Sequence, residues 1–492
     1  MIAEAKNKPT YEDLFIQNVQ LRDELAQLKR LIFGSKHERF IPTASPDQLA
    51  LDIAVQHKEQ GGAGLLQNIQ YQRKKENKLA TEKVQTGRMA LPASLPREEI
   101  IIKPTVDVTG WKEIGKEITE ELERIPGKLF VRKYLRPKYV NPSTGEIVIG
   151  ELPVRPIDKG IAGPGLLAQI VIDKYVDHLP VYRQVQRFER EGMKLPISTL
   201  ADWISATCRL LEPLYEVHRK QVLSSDYLQA DETPIKVLDK DKKGATHRGY
   251  HWVYHAPVNR LVLFDYREGR GREGPNECLQ NFSGYLQTDG YAVYDDFDKR
   301  SSITLLHCMA HARRMFDQAL DNDKQRAEHM LMEMQKLYAV EHIGRDQFLS
   351  PEALHVLRQE QAIPVLKNIK AWMMDTYPQV LPESTIGKAI SYSLKRWDRL
   401  SLYTTDARLQ IDNNLVENAI RPVAIGRKNY LFAGSHDGAR RAAMLYSFLG
   451  TCKINEVNPF EWLTDILRRI PSQSVNKLEQ FLPNNWTPEN LR

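Results

Sequence analysis

Cysteine is scarce in this sequence: four in 492 residues, at 208, 278, 308 and 452. No two of them form a CxxC pair, so there is no disulfide-like framework, and a reducing cytosolic compartment fits. Long apolar runs are missing too. None approaches the length needed to cross a bilayer, and the opening "MIAEAKNKPTYEDL" is too polar for a signal peptide, so no membrane partner is expected. Neither sign of charge dominates. The 69 Lys and Arg against 63 Asp and Glu leave +6, which is mild support for a nucleic-acid partner. What is present is length, too much for one core and enough for two to four domains, with a globular 42% of hydrophobic residues.

The placement of charge is more telling than its sum. Residues 421–470 carry eight Arg or Lys against four acids. They follow "IDNNLVENAIRPVAIGRKNYLFAGS" (411–435), where Asp412, Asn413 and Asn414 are capping-type residues that open a short helix holding Glu417. Pro422 is predicted to stop that helix, leaving Arg421, Arg427 and Lys428 as a cationic stretch beside the carboxylate. Two further acids are predicted at strand ends: Asp231 in "DYLQADETPIKVL" and Asp289 in "SGYLQTDGYAVYDDF". Glu232, Asp295 and Asp296 read as bystanders. Two aspartates and a helical glutamate suit phosphoryl transfer with two divalent ions, because magnesium takes hard oxygen ligands and keeps several waters.

Along the chain, Leu14, Leu21 and Leu28 repeat every seven residues, with Asn18 at an alternate core position. Residues 1–40 therefore read as a coiled-coil helix that self-associates through 11–33. Residues 41–97 read as a flexible basic linker and 98–155 as a small β segment. Residues 156–225 read as a helical DNA-binding region: the basic amphipathic helix 178–192, a turn, then a second helix capped by Ser198. Strand candidates resume at 226, and 226–440 reads as an α/β core interrupted by helices at 320–405. A helical hairpin broken at Asn458-Pro459 fills 441–492. "HCMAHARRMF" places Cys308 and His311 ahead of Arg313 and Arg314. Too few ligands are at hand for zinc, so a hydrogen-bonding role beside the acids is expected, with the two arginines and Arg421, Arg427 and Lys428 meeting DNA phosphate. Asn414 supports the helix start.

These motifs in this order resemble the transposases of the insertion sequence 66 family, in the DDE group. The likeness covers nearly the whole chain and includes "LKRLIFGSKHERF", "DHLPVYRQ", "STLADWI", "QADETPI", "TDGYAVYD", "HCMAHARRMF" and "NPFEWLTDIL". It implies a multidomain α/β plus α protein with a ribonuclease H-like catalytic core and a helical insertion. It assigns Asp231, Asp289 and Glu417 as catalytic acids holding Mg²⁺ or Mn²⁺. It implies cleavage at element ends and strand transfer into target DNA, with helper proteins of the same element as further partners and the bacterial nucleoid as the address. An inactive DNA-binding relative and a nuclease that only hydrolyses are the rivals. One departure matters. Family members usually carry two cysteine pairs in a zinc-binding segment, whereas residues 98–155 hold neither cysteine nor histidine, the pairs being replaced near Thr105–Thr109 and Asn141–Thr144. No zinc is expected there.

Overall fold

A computed structural model describes residues 127, 129–131, 138–140, 147–149, 153–158, 160–239 and 244–488. The predicted coiled coil at 11–33, the linker at 41–97 and most of the β segment at 98–155 lie outside them. The elements below belong to a compact unit that includes Tyr134–Arg492. Two short strands, β1 (Lys138–Val140) and β2 (Ile147–Ile149), pair antiparallel.

Three helices follow: α1 (Pro164–Tyr175), α2 (Val181–Arg190) and α3 (Ile197–Leu223). The predicted Ser198 cap is not formed. Pro196 stands at the cap position, so Ser198 falls inside the first turn. The 27 residues of α3 bury a long stripe from Leu200 through Leu211 to Val222. Packing claims that face, which leaves Ser198, Ala201, Asp202 and Arg209 exposed.

The centre is a mixed five-stranded sheet in the order β5-β4-β3-β6-β7. β3 (Tyr227–Leu238), β4 (Thr246–Ala256) and β5 (Leu261–Arg267) form an antiparallel meander, and β6 (Gly284–Thr288) and β7 (Ile303–His307) run parallel to β3. Alternation of side chains divides the core between the two faces. Tyr227 and Leu306 join one apolar cluster, with helices that come later in the chain. Leu228, Ala230, Leu286 and Leu305 join the other, with α3 and the short helix α4 (Glu273–Cys278).

After β7 the chain enters α5 (Met309–Ala319) and then helices alone: α6 (Lys324–Asp346), α7 (Pro351–Leu357), a π turn at Arg358–Ala362, α8 (Ile363–Thr376), α9 (Thr385–Lys395) and α10 (Trp397–Ser401). Asp323, Ser350 and Ser384 start three of them by accepting the amides of Arg326, Ala353 and Gly387. The chain returns to the sheet through α11 (Asn414–Tyr430). It ends in α12 (His436–Ile454) and α13 (Pro459–Arg469), the latter capped by Asn458. The outer strand β5 is covered, not left as an open edge. The Val262 and Phe264 amides donate to the hydroxyls of Thr451 (3.2 Å) and Ser447 (2.8 Å) on α12. Among the described residues no helix is long and apolar enough to cross a membrane.

Candidate active site

The pentapeptide Tyr-Leu-Gln-x-Asp occurs twice, at 227–231 and 285–289. The parallel ladder of β3 and β6 pairs the two copies in register, Tyr227 with Tyr285, Leu228 with Leu286 and Gln229 with Gln287. Asp231 and Asp289 therefore occupy equivalent positions just past the paired stretch of adjacent strands. Asp289 follows the last residue of β6, at the predicted strand end. Asp231 does not end its strand: β3 continues to Leu238, paired with β4 and, at Val237, bridged in parallel to Ala433. Pro234 is tolerated within it, because the strand has lost its β6 neighbour there.

The buried polar side chains of the repeat tie the third acid to these two. Gln229 Nε2 donates to Gln287 Oε1 (3.0 Å) and to the Asp412 carbonyl (2.8 Å), and Gln287 Nε2 donates to the Gln410 carbonyl (2.8 Å). The Tyr227 hydroxyl accepts the Gln410 amide at 3.1 Å. Residues 410–412 are thus fastened to both aspartate strands immediately before the helix that carries Glu417. Cys308 adds a fourth tie, its sulfur accepting the Asn413 amide at 3.2 Å. Sequence reasoning passed over Tyr227, Gln229 and Gln287; the repeated pentapeptide was the available signal.

Asn413 is the cap of α11, and Asn414 N and Nδ2 both donate to the Asp412 carboxylate (3.1 and 2.8 Å). Glu417 lies in the first turn. Pro422 does not stop this helix, which continues to Tyr430. An interior proline costs about 3 kcal/mol, and burying Val416, Val423 and the face around Gly426 offsets that at about 1.5–3 kcal/mol per large side chain. The basic residues expected after the helix are consequently on it. Arg421 and Lys428 recur at helical spacing from Glu417 and are exposed. Arg427 is turned away: its guanidinium donates to the Pro234 carbonyl on β3, and burial lowers its pKa.

A cleft of about 340 Å³ is lined by Asp231, Glu232, His311, Arg314, Glu417, Ile420, Arg421 and Ala424. His311 Nε2 stands 3.9 Å from Glu417 Oε1. Burial, then the nearby charges of Glu232, Asp289 and Glu417, push the Asp231 carboxyl up to about 8, although the Glu232 amide donates to it at 2.8 Å. The Asp289 carboxylate accepts the Tyr291 amide (2.8 Å), and its carbonyl accepts the Tyr392 hydroxyl of α9 (2.7 Å). Arg313, one residue before Arg314, does not line the cleft; its charge bears on Tyr338 of α6. Cys308 is fully buried, its thiol pushed well up, and is a structural group. Among the described residues, no three His, Cys, Asp or Glu side chains are gathered tightly enough to hold a metal between them. Asp231 and Glu417 line one open cleft; Asp289 does not line it, but its charge acts on Asp231.

Comparison with known proteins fits this arrangement. The family model "Transposase IS66 family" matches residues 159–441, "IS66 C-terminal element" matches 447–484, and "Transposase C of IS166 homeodomain" matches 20–100. Uncharacterized protein y4jD of Sinorhizobium fredii (strain NBRC 101917 / NGR234) is 30% identical, covering 98% of this chain and 97% of that protein. Uncharacterized protein y4qI of the same strain is 31% identical over 94% of this chain and 88% of its own length. With more than half of its length inside the first of these family models, and relatives matching nearly end to end, the chain belongs to the IS66 transposase family.

Proposed function

We propose that the protein is an active DNA transposase whose catalytic acids are Asp231, Asp289 and Glu417. The observation that carries this reading is the in-register repeat. It sets two aspartates at matching positions on adjacent parallel strands, with Glu417 close enough for its charge to act on Asp231. An antiparallel meander followed by two parallel strands, interrupted by helices before the glutamate, supports a ribonuclease H-like core.

The donor set fits divalent magnesium or manganese. It is all carboxylate oxygen, and a half-buried carboxyl pressed by three others is relieved by a cation. Wide spacing is no obstacle, since magnesium keeps several of its waters. Bound there, the ions would supply Lewis-acid charge to the attacking and leaving oxygens of an in-line displacement at phosphorus. The protein's own groups do the rest. Arg314 and Arg421 present cationic charge to phosphate at the cleft, and His311 flanks Glu417. The peptide around Asp289 is held by Tyr392 and Arg396 from α9 and its end, which keeps that carboxylate on its strand. Water would cut at the element ends, and the freed 3′ hydroxyls would then attack target phosphodiesters.

The test uses labelled element ends, target DNA and Mg²⁺. Asp231→Asn, Asp289→Asn and Glu417→Gln should each abolish cleavage while keeping end-DNA affinity within a few-fold, because affinity comes mainly from phosphate contacts elsewhere. Wild-type cleavage by any of the three would overturn the assignment. Cleavage without joined products would reduce the activity to hydrolysis.

A further inference from the structure

Glu232 reads from the sequence as a bystander to Asp231, and the structure gives it a different position. Its side chain is only 4% exposed, yet it lines the cleft. One oxygen, Oε1, accepts both Nε (2.8 Å) and an NH2 (2.5 Å) of Arg270. The other, Oε2, is buried with no hydrogen-bond partner. An arginine that served only to neutralise a buried carboxylate would take both oxygens through its fork. Here both donors are spent on one oxygen, and the second acceptor is left for something else.

Arg270 is itself fixed. Its guanidinium lies 4.1 Å over the Tyr291 ring and 6.0 Å from that of Tyr250. The Tyr291 amide in turn donates to Asp289 Oδ1. Glu232, Arg270, Tyr291 and Asp289 are therefore one connected assembly at the acidic end of the strands. Its one buried side-chain polar atom without a hydrogen-bond partner is a carboxylate oxygen, the donor that hard divalent cations take.

We propose that Glu232 is a fourth carboxylate of the divalent-cation site, with Oε2 as its ligand atom while Arg270 occupies Oε1. The inference rests on the reading of Asp231, Asp289 and Glu417 as cation-binding acids. Arg270 also competes with the cation, because its positive charge lies on the same carboxylate.

The experiment is Mn²⁺ binding to the full-length protein without DNA, followed by the loss of free-ion paramagnetic resonance signal. Glu232→Gln should weaken Mn²⁺ binding tenfold or more, approaching the loss given by Asp231→Asn. Arg270→Met keeps an apolar stem against Tyr291 and removes the competing charge, so Mn²⁺ should bind severalfold more tightly. Unchanged Mn²⁺ affinity in Glu232→Gln, with Asp231→Asn defective, overturns the role of Glu232 and leaves the three-acid reading standing. Wild-type protein that binds no more Mn²⁺ than Asp231→Asn overturns both. If Glu232→Gln loses its cooperative thermal transition, Arg270→Met decides alone, and unchanged or weaker Mn²⁺ binding overturns the proposal.

Discussion

Lys428 lies one residue beyond Arg427, yet helical geometry sends the two to different tasks. The turn of α11 brings Lys428 to the face that carries Glu417 and Arg421, while Arg427 reaches back to the Pro234 carbonyl. Their substitution should separate accordingly. Arg421→Ala and Lys428→Ala are each expected to lower the slope of log affinity against log salt for DNA by about 0.9, the value for one released counterion. Arg427→Ala should leave that slope alone and lower the thermal midpoint. Equal slope changes for all three would return Arg427 to the DNA surface. Arg313 and Arg314 divide in the same way, since only Arg314 lines the cleft.

At the scale of elements, one buried ion pair ties the helices after α5 to the active-site segment. Arg358, in the π turn, is 1% exposed and binds both oxygens of Glu341 on α6 at 2.8 and 2.7 Å. Its remaining donors reach the carbonyls of Tyr403, Asp406 and Leu409 at 2.8, 2.9 and 3.0 Å. Those carbonyls lead directly to residues 410–412, which Gln229 and Gln287 hold. Arg358→Met should destabilise the fold by about 3–5 kcal/mol in urea unfolding, because it strands Glu341 as a buried uncompensated charge. The double variant Arg358→Met, Glu341→Leu should recover most of that loss. Failure of the second change to rescue would mean that the three carbonyls, and not the ion pair, carry the energy.

For the molecule as a whole, four buried histidines among the described residues make acid the vulnerable side. Burial lowers His218 and His255 to about 4, and His251 and His307 to about 3. A depressed histidine is neutral when folded and takes a proton on unfolding. Its contribution is therefore complete above the ordinary value near 6.5 and is lost as pH falls toward the folded value, at about 1.4 kcal/mol per pH unit for each group. Asp231, raised to about 8, slopes the other way, so a single substitution is the clean test. His218 Nε2 donates to the Val262 carbonyl (2.8 Å), and the ring packs on Phe448. His218→Phe should flatten the dependence of unfolding free energy between pH 6.5 and 4.5 by one group's share. An unaltered slope would show that His218 does not titrate there. Elemental analysis gives a further whole-chain outcome: with neither cysteine nor histidine in residues 98–155, no stoichiometric zinc is expected. One zinc per chain would require ligands from elsewhere.

Periodicity and turn chemistry made the strands from 227 onward, the helical run after β7 and the Asn458-Pro459 break legible, because each is specified by residues within a few positions of one another. The motif order made the family legible for the same local reason. Local rules failed where distant packing outweighed them. Pro422 predicts a stop, and α11 runs through it because its buried face is held against the sheet. Asp231 was expected at a strand end, and β4 keeps the strand going past the point where β6 leaves. Ser198 has the chemistry of a cap, and Pro196 takes the position. The sequence prints Tyr-Leu-Gln-x-Asp twice, but only the parallel pairing of β3 with β6 turns the repeat into two adjacent carboxylates. Likewise, no spacing rule could tell Glu232 from any other surface acid. Its burial and its single-oxygen bond to Arg270 exist only once residues 38 positions apart are brought together.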